Sequence, residues 1–451
     1  MVNNAMNRRI LQLAVPSIIS NITVPLLGLV DVTIVGHLGA PAYIGAIAIG
    51  GLLFNILYWN FGFLRMGTSG LTSQAYGRKD AIGEIRVLVQ AISVALLSAT
   101  CILLLQYPVE KLAFWLLDTS AEVEQYAVSY FRVCIWGAPA VLSMYCFKGW
   151  FIGMQNSRYP MYIAIAVNII NILCSLCFVF LLGMKVEGVA LGTVVAEWSG
   201  LGLALVLWSK KYGVLRTKLS LHSSLHLGAM RHFFAVNRDI FLRTLCLIAV
   251  TTFFTSTGAR QGDVILAVNT LLMQLFTLFS YIMDGFAYAA EALAGRYIGA
   301  CDPGRLRHAV RNLFGWGIGM ALLFTALYGI GGQSFLGLLT NEQNVIQVAG
   351  EYFYWVLAIP LAGFAAFLWD GILIGATATR QMLLAMIVSA AAFFFIYYFF
   401  SGATDNHILW LAFLVYLFLR GVMMIELGLL DLDVKIWSNE EKINVDFDIK
   451  V

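Results

Sequence analysis

Gly149-Trp150-Phe151-Ile152-Gly153-Met154-Gln155-Asn156-Ser157-Arg158 returns 222 residues later as Gly371-Ile372-Leu373-Ile374-Gly375-Ala376-Thr377-Ala378-Thr379-Arg380, with both glycines, one isoleucine and the arginine in register. The same offset carries Gly77 and Asp80 onto Gly299 and Asp302, Leu116-Leu117 onto Leu338-Leu339, and Tyr130-Phe131 onto Tyr352-Phe353. A register held from residue 77 to residue 158 is more than chance agreement between apolar segments. The chain therefore reads as one unit written twice.

The material of that unit is apolar. Of 451 residues, 60% are hydrophobic and 12% charged, against roughly a quarter charged in soluble domains. Apolar runs such as 87–105, 161–182 and 387–400 approach the roughly 20 residues needed to cross a hydrocarbon layer about 30 Å thick. Twelve spans are expected, near 10–35, 42–75, 85–106, 123–153, 160–183, 187–209, 238–259, 263–297, 309–331, 346–376, 381–401 and 406–430. The fold class is thus an all-α polytopic membrane protein, with two six-helix lobes at 1–209 and 238–430. Residues 210–237 form the linker, which is either flexible or laid on the membrane surface, and 431–451 an acidic tail.

Six spans per half is an even number, so both halves enter the membrane in the same direction, related by an axis along its normal. The odd-numbered loops hold three basic residues, Lys111, Lys185 and Arg260, while the N-terminus and even-numbered loops hold 17. By the positive-inside rule both termini, the linker and the tail are cytoplasmic. The first span is expected to be its own insertion signal, with no removable leader.

Several classes of function find no footing. The chain has no GxxxxGK[ST], HExxH or GxSxG pattern, which leaves nucleotide-driven pumping and hydrolysis without a motif. Cys174 and Cys177 make a CxxC in mid-helix without a second pair, which reads as packing, so no metal or redox centre is assigned. No nucleic-acid partner is expected. A duplicated bundle with prolines Pro16, Pro139 and Pro360 in its spans suits a transporter that rocks two lobes about a cleft better than a static channel.

Ionisable groups inside spans are costly and mark cavities, partners or interfaces. Arg132, Lys148, Arg243 and Arg420 lie within two to three turns of a span end and read as snorkelling to water. Glu426 reads as lying at the cytoplasmic exit, and Glu197 as either cleft-lining or a buried structural acid. Asp31 cannot snorkel far, and it follows Pro16 and Pro25 in a helix those prolines allow to bend. Desolvation penalises a charged carboxylate, so proton exchange is its natural change of state. Asn171 and Ser175, four apart, share a face of the fifth span, and Asn168 lies one turn earlier, where an amide also serves to glue helices. Asp284, Glu291 and Asp370 in the second half form a set of acids suited to attract organic cations. Glu291 is alternatively paired with Arg65.

Three stretches resemble the multidrug and toxic compound extrusion family, within it the branch named for the DNA-damage-inducible protein F. They are Val30-Asp31-Val32-Thr33-Ile34-Val35-Gly36-His37-Leu38-Gly39, Met283-Asp284-Gly285-Phe286-Ala287-Tyr288-Ala289-Ala290-Glu291-Ala292-Leu293, and Asp370-Gly371-Ile372-Leu373-Ile374-Gly375-Ala376-Thr377. The resemblance implies a bacterial inner-membrane antiporter, working as a monomer among membrane lipids. It would expel amphiphilic, cationic small molecules in exchange for protons or sodium ions, without a cofactor. It also implies that Asp31, Asn171 and Thr193 take part in ion coupling and that Pro16 bends the first helix. Many relatives carry a second aspartate four residues after the asparagine, where this chain has Ser175. A desolvated sodium ion needs several oxygens and compensating charge, so one carboxylate favours protons. The competing expectation is a flippase for lipids or lipid-linked sugars, which calls for a large basic cavity; Arg65 keeps it open.

Overall fold

Lys79 and Cys301, then Gln155 and Thr377, hold left-handed backbone at φ 57°, 52°, 60° and 51°. Non-glycine residues avoid that region, yet here they occur in two pairs at the 222-residue offset. Each closes a helix in the same way. The amides of Lys79 and Asp80 donate to the Tyr76 and Ala75 carbonyls, and those of Cys301 and Asp302 to Ile298 and Tyr297. Gln155 and Asn156, and Thr377 and Ala378, repeat the pattern, which satisfies the open carbonyls of a helix end. Asp80 then caps the following helix by accepting from the Gly83 amide at 2.9 Å, and Asp302 accepts from Arg305 at 2.9 Å.

These punctuation marks delimit the helices of the computed structural model, which describes residues 2–36, 41–116, 120–218, 221–340, 342–400 and 406–448. In the first half they are α1 (Val2–Gly36), α2 (Pro41–Trp59), α3 (Gly62–Gly77), α4 (Ala81–Leu104), α5 (Gln106–Leu116), α6 (Ala121–Cys134), α7 (Ala138–Gly153), α8 (Arg158–Leu176) and α9 (Val186–Tyr212). A short α10 (Leu221–Ser224) leads to α11 (Leu227–Arg260), α12 (Asp263–Gly299), α13 (Pro303–Leu339), α14 (Gln343–Gly375), α15 (Thr379–Phe400) and α16 (Asn406–Asp448). Twelve segments are long and apolar enough to span a membrane, the second formed by α2 with α3 and the fourth by α6 with α7. The expected all-α, twelve-span architecture is present, and the described residues contain no strand. His37, Leu38, Gly39 and Leu117, used in the motif and repeat readings, lie outside the described residues.

The repeated glycines explain themselves in packing. A Cβ on Gly149 would collide with the backbone carbonyl of Arg65, and one on Gly371 with that of Ala287. Gly153 lies against the backbone of Ser69 and Ser73, and Gly375 against that of Glu291 and Gly295, every partner again at the same offset. The repeat is therefore a repeated close approach of α7 to α3 and of α14 to α12, the small-residue contact by which membrane helices associate. Outward faces are apolar: Ile330 is 89% exposed, Leu181 80% and Leu104 76%. Such surface belongs in lipid, and the chain is a multi-pass integral membrane protein.

The helices fall into two compact units, Met1–Ile18 with Arg238–Val451, and Ile19–Asn237. The start of α1 groups with the second half: Trp316 donates to Asn7 at 3.3 Å, Arg9 to the Tyr297 hydroxyl at 3.3 Å, and Ile18 fills the space beside Gly285. Conversely, the start of α11 groups with the first half, where the Asn237 amide occupies the space beside Gly67. Residues 227–237 are thus the opening turns of α11, begun where the Gly228 amide donates to His226 Nδ1 at 3.1 Å.

Candidate functional site

α1 runs through Pro16 and Pro25 to Asp31, which is only 6% exposed. Asn168 on α8 donates its amide to the Thr23 carbonyl of α1 at 2.9 Å, so this residue does act as helix glue. Both helices belong to odd-numbered spans and run the same way. Eight residues beyond Thr23, about 12 Å at helical rise, stands Asp31; seven beyond Asn168 stands Ser175. By helical rise, Asp31 and Ser175 therefore stand at similar distances along their helices from the tie.

On α8, Asn171 and Ser175 are fully buried. Asn171 donates from Nδ2 to the Thr193 hydroxyl at 2.9 Å, and Thr193 donates to the Val189 carbonyl at 3.1 Å. Ser175 fits against Gly192 of α9, where a Cβ would run into its hydroxyl and backbone. Immediately beyond, residues Cys177–Leu181 widen into a π-helix, a distortion frequent at functional sites. Asp31 Oδ1, Asn171 Oδ1 and Ser175 Oγ are buried without a hydrogen-bond partner. Buried polar atoms are nearly always satisfied, so each of these oxygens is open to a proton, an ion or water.

The other half shows what becomes of the same positions without that chemistry. Under the offset Asp31, Asn171 and Ser175 correspond to Phe253, Phe393 and Tyr397. The Phe253 ring centroid lies 5.9 Å from that of Phe393 and 5.1 Å from that of Tyr397. The corresponding positions converge there as an aromatic cluster, so the polar site is peculiar to the first half.

Among the second-half acids, Asp370 receives hydrogen bonds from both Arg243 and Arg420. All three side chains are at most 10% exposed. This corrects the expectation that the two arginines snorkel: a buried carboxylate holds them inside, and neither helix alone reveals it. Asp284 is half-buried on α12. Glu291 is 1% exposed, with its backbone carbonyl against Gly375. Arg65 is half-buried on α3, its backbone against Gly149. Arg132 is 59% exposed but bonded through two nitrogens to Glu110 at 2.8 Å each. Lys148 is half-buried rather than extended to water, within electrostatic reach of Arg65 and Glu197. Glu197 on α9 lies against Gly137, its Oε2 in the space a Cβ there would need. The described residues contain no cluster of histidine, cysteine or acidic side chains able to hold a metal ion.

The family model described as MatE matches residues 16–177 and again 240–399, one copy per half. The DNA damage-inducible protein F of Escherichia coli (strain K12) is 38% identical over 412 residues, covering 91% of this chain and 90% of its own. A crystal structure of MATE in the bent conformation superposes with a TM-score of 0.85 at 16% identity, covering 97% of this chain and 99% of the other. The outward-facing structure of a multidrug resistance MATE family transporter of the MOP superfamily reaches 0.80 at 17% identity, with 95% and 96% covered. At these identities the structural likeness speaks to the fold.

Proposed function

The chain belongs to the MatE family, a family of transporters, and from that premise we propose that it exports amphiphilic, cationic small molecules in exchange for protons. The observation that carries the coupling step is the trio of unsatisfied oxygens on Asp31, Asn171 and Ser175. Deprotonated, Asp31 holds a charge in a place with little solvent; protonated, it becomes a hydrogen-bond donor for which Asn171 Oδ1 and Ser175 Oγ are ready acceptors. Thr193 fixes the Asn171 amide so that its oxygen is the free end.

α1 supplies the mechanical link. Its first eighteen residues group with the second half and the remainder with the first, and the change falls between Pro16 and Pro25. Each proline removes a backbone donor and loosens the helix. A change of charge at Asp31 is thereby passed along a helix that both halves hold, and alternating access follows as one half moves against the other. Asp284 and Glu291 are the acids proposed to meet cationic cargo, with Arg65 and Asn168 shaping its surroundings. Asp370 contributes indirectly, since two guanidinium groups already occupy it.

The flippase alternative calls for free basic groups around an anionic headgroup. Here the buried arginines of the second half are matched to acids, which supports cationic cargo instead. The cytoplasmic placement of both termini, the inner-membrane setting and action as a monomer belong to the same proposal, and rest on the basic-loop bias and the family. The test is efflux from proteoliposomes with proton and sodium gradients imposed separately. Saturable export driven by the proton gradient alone supports the reading; export that follows only sodium overturns it.

A further inference from the structure

α5 lies between the third span, which ends at Leu104, and the fourth, which begins at Ala121. Its 11 residues extend about 16 Å at helical rise, roughly half of what crossing the hydrocarbon layer requires. It is a helix of the membrane surface, and its residues sort by face. Leu105, just before it, and Leu112 and Trp115, seven and then three residues on, are exposed. Such an apolar stripe on a short surface helix belongs against lipid. Tyr107, Lys111 and Trp115, each four residues apart, line a cleft shared with α6.

α6 answers with Glu124, Val128 and Arg132 at the same four-residue spacing. Together the two faces enclose a cavity of about 410 Å³, within the roughly 300–1,000 Å³ of small-molecule sites. Toward the start of α5 and the end of α6, the buried Glu110 accepts two hydrogen bonds from Arg132 at 2.8 Å each, which tie the helices together. That pair leaves the arginine side chain 59% exposed. Lys111 and Glu124 bring a second pair of opposite charges to the wall, the ammonium 4.7 Å from the Tyr107 ring centroid and the carboxylate on α6. Both residues are exposed.

Two acids and two bases give this wall no net formal charge, so neither a simple anion nor a simple cation answers all of it. A zwitterion with a phosphate and an ammonium a few bonds apart does. The phosphate suits Lys111 and the open side of Arg132, and charge-assisted contacts of that kind are the strong ones. The ammonium suits Glu124, with an aromatic neighbour in Trp115 of the kind cations favour. Trp115 belongs to the cavity wall and to the apolar stripe alike, so a molecule seated in one continues onto the other. Tyrosine and tryptophan are the residues enriched at headgroup level.

We propose that the cleft between α5 and α6 seats the headgroup of a zwitterionic glycerophospholipid with a primary ammonium, of the phosphatidylethanolamine class. Its phosphate meets Lys111 and Arg132, its ammonium meets Glu124, and an acyl chain runs along Leu112 and Leu105. The seated lipid fastens α5 to the start of the fourth span. None of the groups around Asp31 takes part, so the proposal stands apart from the proton-coupling reading.

Native mass spectrometry of the purified full-length protein, titrated in detergent with short-chain phosphatidylethanolamine, tests it. Lys111→Gln and Glu124→Gln are each expected to weaken the first lipid adduct roughly tenfold, the loss of one charge-assisted contact. Both positions are exposed, so lipid-free thermal unfolding is expected to stay unchanged, and Lys111→Arg is expected to keep the adduct. Phosphatidylglycerol, with a phosphate but no ammonium, is expected to bind more weakly and to be indifferent to Glu124→Gln. Phosphatidylethanolamine affinity unchanged in both glutamine variants overturns the proposal, as does equal binding of the two lipids. Free phosphoethanolamine that displaces the lipid at matching concentration would assign the cavity to a soluble ligand and overturn the lipid reading.

Discussion

Asn171 gives its amide to the Thr193 hydroxyl at 2.9 Å and keeps its own oxygen buried and unpartnered. The bond fixes which end of a symmetric-looking amide faces the site. Thr193→Val preserves shape and removes the acceptor. A buried donor left unsatisfied costs about 1–3 kcal/mol, so thermal unfolding in detergent is expected at lower temperature. The pH at which export is half-maximal is expected to move as well, since the amide is free to turn. An unchanged pH profile would show that Thr193 does not orient the site.

Ser175 separates proton from sodium coupling. Ser175→Asp adds a second carboxylate four residues, one helical turn, from Asn171, giving a sodium ion more oxygen and more compensating charge. Export from proteoliposomes is expected to become responsive to an imposed sodium gradient to which the native protein is indifferent. Continued indifference of the variant would remove the argument that the missing carboxylate decides the ion.

The two glycine contacts predict a matched pair of defects. Gly149→Ala and Gly371→Ala each drive a methyl into backbone, of Arg65 and Ala287 respectively. Overpacking of this sort costs about 1–3 kcal/mol, and backbone gives way less readily than a side chain. Both variants are expected to unfold earlier than the native protein, while Gly315→Ala, with nothing within 4 Å of its added carbon, is expected to be close to neutral. Equal behaviour of all three would contradict the packing account.

The arginine cluster predicts a contrast in stability. Removing one partner of a buried ion pair costs about 3–5 kcal/mol, so Arg420→Leu is expected to destabilise the second half severely. Arg132→Gln breaks a pair whose arginine is 59% exposed, and an exposed pair contributes about 1 kcal/mol at most. Thermal unfolding of the two variants side by side separates them. A mild effect at Arg420 would return that residue to the water-reaching role its sequence position implied.

What could be read in the sequence, and what could not, divides along these same residues. The spans were legible because membrane helices need long apolar runs. The repeat was legible because Gly149, Gly153, Gly371 and Gly375 serve close backbone contacts that tolerate no other residue, and because Asp80 and Asp302 cap helices that begin at the same place. Asp31, Asn171 and Ser175 stood out as polar groups at costly positions. The Arg243–Asp370–Arg420 cluster was hidden, since its members come from three helices and lie 127 and 50 residues apart. Helical spacing reports neighbours on one helix only. For the same reason α9 alone left Glu197 between a cleft-lining and a buried structural acid, and the grouping of the first eighteen residues with the second half had no local signature.

The central claim is that Asp31 carries the proton that drives export, and Asp31→Asn tests it most directly. Native and variant proteins are reconstituted in proteoliposomes, and export of an amphiphilic cationic dye is followed under an imposed pH gradient, with dye binding in detergent as the check on folding. The account predicts that the variant binds dye but loses proton-driven export. Undiminished proton-driven export by a variant lacking that carboxylate would contradict it.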